Sequence, residues 1–267
     1  MNKIVFPKIM GIINVTPDSF SDGGVNFWYK DAINNALQLI DDGADIIDIG
    51  GESMRPGSES IISLEEEINR VIPVIKEIKR LRPSIKISID TVKYEVAKQS
   101  LDLGVEIIND IYGLSFEPRF VDLAKEYNAG LILMHIKGKP RTMQLNPTYD
   151  DLIGEISSFL QEKVNIAINK NVNYVWVDVG IGFGKTVDDN INLLRNLEKF
   201  NNLGAKQVLG ISRKSFIGKL HNIEKAKDRD IETLIYHTLL LNKNVDIIRV
   251  HSVKNYKTMK DIFNLLK

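Results

Sequence analysis

The chain contains no cysteine among its 267 residues. That excludes a disulfide framework, a thiolate nucleophile and a cysteine-bound zinc. Histidine is scarce, with four residues. His135 and His251 fall at predicted strand ends, but neither has metal-ligand spacing to another histidine, so a histidine metal site is not expected. Net charge is also missing, because 35 basic and 35 acidic side chains cancel. This removes the bulk electrostatic case for a nucleic acid or an anionic membrane as partner. No apolar run approaches the roughly 18 residues needed to span a bilayer. Residues 1–8 carry two lysines and a proline and lead into a strand, not into the apolar core of a signal peptide. A cytoplasmic protein is the expectation. No Ser- or Gly-rich linker and no low-complexity tract divides the chain, so residues 1–267 are expected to form one domain.

What the chain has in abundance is short apolar runs that stop at a polar residue. Eight stand out: Ile9 to Asn14, Ala44 to Asp48, Ile85 to Asp90, Val105 to Asn109, Leu131 to His135, Tyr174 to Asp178, Val208 to Ser212 and Asp246 to His251. Continuous apolar stretches such as those around Ile46-Ile47 and Ile107-Ile108 suit parallel strands buried on both faces. Amphipathic segments lie between them. Leu64 to Leu81 has apolar residues at 64, 68, 71, 72, 75 and 78, the spacing of a one-faced helix. Ser63 just before it, with Glu66 three residues later, resembles a capping box, and Pro83 stops it. Helices are also expected over Val92–Leu103, with Gly104 past the end, and over Asp151–Asn169, Asp188–Phe200 and Arg229–Leu241. Alternating strands and helices of this kind predict an α/β fold, a single (β/α)8 barrel. In that fold the active site lies at the carboxyl ends of the strands.

The polar residues at those ends carry the candidate chemistry. Residues 14–30 and 50–63 read as long polar loops on that face. Asn14 opens a stretch of hydroxyls and carboxylates suited to a hard cation beside a diphosphate. Arg55, before Pro56, is a fork for a phosphate or carboxylate. Asp90, Asn109 and Asp178 suit a flat heterocycle rich in N–H groups; two carboxylates also suit a general acid and base, or metal ligands. The run Gly180–Thr186 fails as a P-loop, because Val179 stands where the first glycine belongs. Its glycines are expected to let the backbone approach a ligand, with Phe183 as a wall. After the seventh strand, Arg213 and Lys214 supply charge and Ser215 opens a helix whose amides suit an anion. Arg249 and His251 alternate onto one side of the eighth strand. His135 reads as an ordinary structural histidine.

In order and spacing, Asn14–Gly24, Gly51–Gly57, Ser88–Thr91, Ile108–Asp110, Leu133–His135, Gly182–Lys185, Ser212–Ser215 and Arg249–His251 resemble the dihydropteroate synthases over nearly the whole chain. The resemblance implies condensation of 6-hydroxymethyl-7,8-dihydropterin diphosphate with p-aminobenzoate, giving 7,8-dihydropteroate and pyrophosphate in folate biosynthesis. It implies that Asp90, Asn109, Asp178 and Lys214 hold the pterin, that Arg249 stacks on it, and that Met134 lines the pocket. It implies diphosphate binding by Asn14, Arg55, Arg249 and His251, with Mg2+ at Asn14. Phe20, Pro56, Phe183, Lys214 and Ser215 would take p-aminobenzoate, and sulfonamides in its place. Asp90, Lys214, Arg249 and His251 would be the catalytic set. A homodimer is implied too.

Two positions depart from the family pattern. Met54 replaces a threonine, which removes a hydroxyl from the diphosphate region, and Val179 replaces a proline. Two rival readings share the barrel. One is a pterin-binding methyltransferase acting on methyltetrahydrofolate; the other is a non-catalytic pterin-binding relative. The retained long loops and Ser212-Arg213-Lys214 favour the synthase.

Overall fold

A computed structural model of the chain describes residues 5–16, 25–52 and 62–266, with residues 25–28 described by backbone alone. Eight parallel strands close into a barrel in sequential order, the first pairing with the eighth. They are β1 (Lys8–Asn14), β2 (Ile46–Gly50), β3 (Lys86–Asp90), β4 (Ile107–Asp110), β5 (Gly130–Met134), β6 (Tyr174–Asp178), β7 (Lys206–Leu209) and β8 (Val245–Val250). The helices are α1 (Val25–Asp41), α2 (Leu64–Leu81), α3 (Tyr94–Asp102), α4 (Phe120–Glu126), α5 (Leu152–Asn169), α6 (Val187–Arg195), α7 (Ser215–His221), α8 (Asp230–Leu239) and α9 (Lys254–Leu265). The expected (β/α)8 fold is present. Both α7 and α8 follow β7.

Strand side chains alternate with period two, and this divides the core. Ile9, Ile47, Ile87, Ile89, Ile108, Leu131, Val177, Leu209 and Ile248 join the large cluster that packs strands against helices. Met10, Ile46, Ile107, Ile132, Trp176, Val208 and Ile247 form a separate buried cluster. Every one comes from a strand, so this second cluster fills the barrel interior toward the amino ends. The register stacks them side by side: Met10 pairs with Ile46, Ile132 with Trp176, and Val208 with Ile247.

Two expected strands end two or more residues from where the sequence placed them. The run Ala44–Asp48 becomes Ile46–Gly50, because pairing with β1 continues from Met10↔Ile46 to Asn14↔Gly50. Asp48 is therefore inside the barrel wall, not at its end. The run Val208–Ser212 becomes Lys206–Leu209, which leaves Ser212 in the loop. The first long loop is shorter than expected, since α1 begins at Val25 and buries Ala32, Ile33, Ala36 and Leu39 along one face. The α2 boundaries are as expected. Ser63 caps that helix by accepting from the Glu66 N–H at 3.1 Å. The Glu66 carboxylate pairs with Arg70 instead of completing the box. A complete capping box occurs at α6, between Thr186 and Asp189.

Candidate active site

Two residues along from the inner apolar layer, the same strands present polar groups. Ile46 leads to Asp48, Ile107 to Asn109, Trp176 to Asp178 and Ile247 to Arg249; Ser88 leads to Asp90. Asp48, Asn109 and Asp178 are all buried. Arg249 ties the set together. Its Nε donates to Asp48 Oδ2 at 2.6 Å and its Nη2 to Asp90 Oδ2 at 2.8 Å. Asn109 Nδ2 donates to the same Asp48 oxygen at 3.2 Å, which orients its amide. Asp178 Oδ1 accepts from the Gly180 N–H at 2.7 Å. Its Oδ2 lies beside Gly210, where an added Cβ would sit 3.5 Å away. The expected convergence of Asp90, Asn109, Asp178 and Arg249 is observed.

Lys214 enters from the β7–α7 connection. Its Nζ stands 3.9 Å from the centroid of the Phe183 ring, a cation–π contact. Phe183 in turn packs with Val92, Ile111 and Met134, so one apolar shelf flanks the charged groups. Burial lowers the Lys214 ammonium to about 7, against the pull of Asp178 and Asp90. Burial raises Asp90 to about 7; Arg249 and Lys214 oppose this, while Asp48 and Glu67 reinforce it. Burial also raises Asp178. The site thus holds an acid and a base that both change charge near neutrality, a pattern concentrated at functional sites.

The rim positions the remaining candidates. His251 follows β8 directly; its backbone N–H donates to Ser212 Oγ at 3.1 Å, and its Nδ1 lies 2.9 Å from the same oxygen. When the hydroxyl donates to Nδ1, the ring hydrogen resides on Nε2, aimed away from Ser212. Ser212, expected as the end of the seventh strand, sits instead in the loop after β7, where it is a positioning residue for His251. Ser215 is exposed at the first turn of α7. Asn14 is half-buried at the last position of β1, level with Gly50 and one strand further from Asp90. Phe20, Met54, Arg55 and Pro56 lie outside the described residues.

Three expectations change. Arg213 does not serve the pocket. It adopts φ +59° and pairs through Nε and Nη2 with Asp230 on α8, both at 2.7 Å. The close approach expected of a ligand at the glycines after β6 is made by the protein itself. A Cβ on Gly180 would lie 1.8 Å from the His135 carbonyl oxygen, and one on Gly184 would lie 2.1 Å from that of Lys137. Both have positive φ, so the loop folds tightly onto the end of β5. Asp48 was read only as the end of a strand; it is the fully buried partner of Arg249. His135, read as an ordinary residue, packs inside the protein beside Lys185. It is buried at about pKa 3 with its Nδ1 3.0 Å from Lys185 Nζ.

A closed parallel barrel whose carboxyl end gathers three carboxylates, an amide, a lysine and an arginine beside an apolar shelf defines a pterin-binding barrel enzyme. The family model described as "Pterin binding enzyme" matches residues 10–251. Dihydropteroate synthase of Synechocystis is 45% identical over 248 residues, covering 92% of this chain and 85% of that protein. Among solved structures, Xanthomonas albilineans dihydropteroate synthase with 4-aminobenzoic acid is similar with TM-score 0.90 and 35% identity, covering 97% of this chain and 93% of that one. Yersinia pestis dihydropteroate synthase in a sulfonamide drug complex gives 0.89 and 36%, covering 99% and 95%. The chain belongs to the dihydropteroate synthase family of pterin-binding enzymes.

Proposed function

We infer that this protein condenses 6-hydroxymethyl-7,8-dihydropterin diphosphate with p-aminobenzoate, releasing 7,8-dihydropteroate and pyrophosphate. The observation that carries the reading is the convergence of Asp90, Asn109, Asp178, Lys214 and Arg249 on one end of the barrel interior. Carboxylates and an amide match the N–H-rich edge of a pterin. The Arg249 guanidinium plane suits stacking on the ring. Arg249, His251, Asn14 and Arg55 are assigned to the diphosphate. Phe183, Lys214 and Ser215 are assigned to p-aminobenzoate, together with Phe20 and Pro56.

The bond from the pterin methylene to the diphosphate oxygen breaks, and the diphosphate leaves with the electron pair. Arg249 and His251 oppose its growing charge. The cation left on the methylene is stabilised by the Asp90 carboxylate. At about 4 Å and an effective dielectric of about 20, that attraction is about 4 kcal/mol. The aniline nitrogen then forms the new C–N bond and sheds a proton to solvent. No protein nucleophile takes part.

Mg2+ fits Asn14 as a single protein ligand. No group of three or more acidic or histidine side chains among the described residues makes a metal cage. Mg2+ commonly takes one or two protein oxygens, with substrate phosphates and water completing its shell. When bound it supplies further charge neutralisation to the diphosphate.

The same reading includes a homodimer and a cytoplasmic location. Ile231, Ile235 and Leu239 recur every fourth residue of α8 and are 65%, 52% and 72% exposed. A stripe of this kind suits burial against a second copy. Sedimentation should give a dimer, and Ile235→Lys should shift it to monomer. For the reaction itself, purified protein mixed with the pterin diphosphate, Mg2+ and p-aminobenzoate should release pyrophosphate. Release must require both organic substrates, and sulfonamides should compete with p-aminobenzoate. Absence of dihydropteroate in that mixture overturns the reading.

A further inference from the structure

Arg249 is shared between two carboxylates that are not equivalent. Asp48 is fully buried, and its Oδ2 is held twice, by Arg249 Nε at 2.6 Å and by Asn109 Nδ2 at 3.2 Å. Its Oδ1 makes no hydrogen bond among the described residues. Arg249 is its salt-bridge partner among those residues, and an unpaired carboxylate at that depth would be strongly disfavoured. Asp90 has 19% of its side chain exposed and meets Arg249 through a single bond from Nη2. One carboxylate is locked at the bottom of the pocket; the other stands at its wall, where a ligand reaches it.

We propose that Asp48 is the positioning residue that keeps Arg249 in place throughout the reaction, and that Asp90 is the partner that releases Arg249 when the pterin arrives. The proposal rests on the pterin reading of this pocket. A ring entering beside Asp90 offers N–H donors that replace Nη2. Arg249 stays anchored through Nε, and its outer face turns to the ring and diphosphate. Without Asp48, Arg249 would pair with Asp90 alone, and the substrate would have to break a stronger pair. Asp90 would also be easier to ionise, since one negative neighbour is gone and the Arg249 charge is no longer divided. The charged groups facing Asp90 are Asp48 from β2, Glu67 from α2, Lys214 from the β7–α7 connection and Arg249 from β8. Of these charged groups only Asp48 is altered in the experiment; Asp48→Asn keeps a side-chain oxygen for the Asn109 amide, and Asp48→Ala removes that acceptor as well.

Asp48→Asn and Asp48→Ala, made in the full chain, are compared with the parent by calorimetry with a pterin lacking the diphosphate and by kcat/KM against pH. Pterin affinity should fall at least fivefold in Asp48→Asn and further in Asp48→Ala. The acid limb of the profile should move to lower pH in both. Ser88→Ala, whose residue pairs with Asp48 in the β2–β3 register, should keep the parent's affinity and limb. A crystal structure of the parent with pterin gives a second measurement that needs no variant. It should retain the Arg249–Asp48 bond and lose the Arg249–Asp90 bond. Variants that lose thermal stability but bind pterin within twofold of the parent, with an unmoved limb, overturn the proposal. So does a pterin complex with Asp90 still on Arg249. A parent that binds no pterin overturns the functional reading instead, and the inference with it.

Discussion

Two layers fill the interior of this barrel, and they are built by the same strands only two residues apart. Toward the amino ends, Met10, Ile46, Ile107, Ile132, Trp176, Val208 and Ile247 make a buried apolar plug. Toward the carboxyl ends, Asp48, Asp90, Asn109, Asp178 and Arg249 make a charged floor held by hydrogen bonds. Topology does not distinguish them, since both layers lie on the same parallel strands of one barrel. The difference is chemical. The lower layer contributes burial of apolar surface. The upper layer places charges in a low-dielectric setting, where they cost stability unless paired but act strongly on a bound ligand. A barrel of this kind gathers stability at one end and chemistry at the other.

Moving charge into the apolar layer should break the contrast most severely. Ile46→Asp, at a position 1% exposed, buries a carboxylate with no partner nearby. A loss of about 4 kcal/mol or more is expected, read as loss of a cooperative thermal transition. If the variant melted like the parent, the lower layer would not be a closed apolar core.

Removing charge from the upper layer should leave the fold and damage the chemistry. Asp90→Asn should lower turnover about a hundredfold, about 2.7 kcal/mol of barrel-bound transition-state stabilisation, with little change in melting. Turnover within threefold of the parent would remove Asp90 from the mechanism. The parent should also lose kcat/KM as pH falls through about 7, where Asp90 takes up a proton. A profile flat from pH 8 down to about 5 would show that its ionisation does not matter.

A third test asks whether buried titration outside both layers behaves differently. His237 is buried beside Tyr256, with Nδ1 2.7 Å from its hydroxyl, and burial lowers it to about pKa 3. The unfolded chain binds this proton near pH 6.5, so the stability it contributes is present above that pH and is lost as pH falls toward 3. The difference in stability between parent and His237→Phe should change by about 1.4 kcal/mol per pH unit below 6.5, measured by denaturant melts. Parallel curves would contradict it. Activity near pH 8 should stay within twofold, unlike that of Asp90→Asn.

The smallest effect concerns a rim charge outside the floor. Asp230→Asn breaks the partly exposed pair with Arg213 and should cost about 1 kcal/mol or less, with turnover unchanged. A large loss of turnover would return Arg213 to the site.

Much of this was readable along the chain. The (β/α)8 fold followed from apolar runs alternating with amphipathic segments, and α2 from its spacing of three and four. Asp90, Asn109, Asp178 and Arg249 were legible because polar residues at strand ends stand out against Ile and Val. The misplaced strand ends have one cause. Pairing in a sheet is decided by the neighbouring strand, so β2 runs on to Gly50, which carries no hydrophobic signal. Ser212 was visible as a polar residue after the seventh apolar run, but its role was not, since that appears only when His251 is brought against it. The glycines after β6 were marked as places where a ligand approaches. That the approaching groups include the carbonyls of His135 and Lys137 depended on how β5 and β6 lie together.

Local patterning by itself determined the repeating architecture and the set of polar residues available at the strand ends. Periodicity, turn residues and capping are short-range properties, and they act before the chain is folded. Tertiary structure alone decided which polar residue meets which. Arg213 and Arg249 look alike in sequence, yet one turns outward to Asp230 and the other inward to Asp48. Asp48 and Arg249 stand 201 residues apart, and Asp90 and Arg249 stand 159 apart. Closure of the barrel sets β1 between β2 and β8 and brings those residues within hydrogen-bonding distance. Burial there then makes each charge choose a partner, a long-range electrostatic requirement that no local segment encodes.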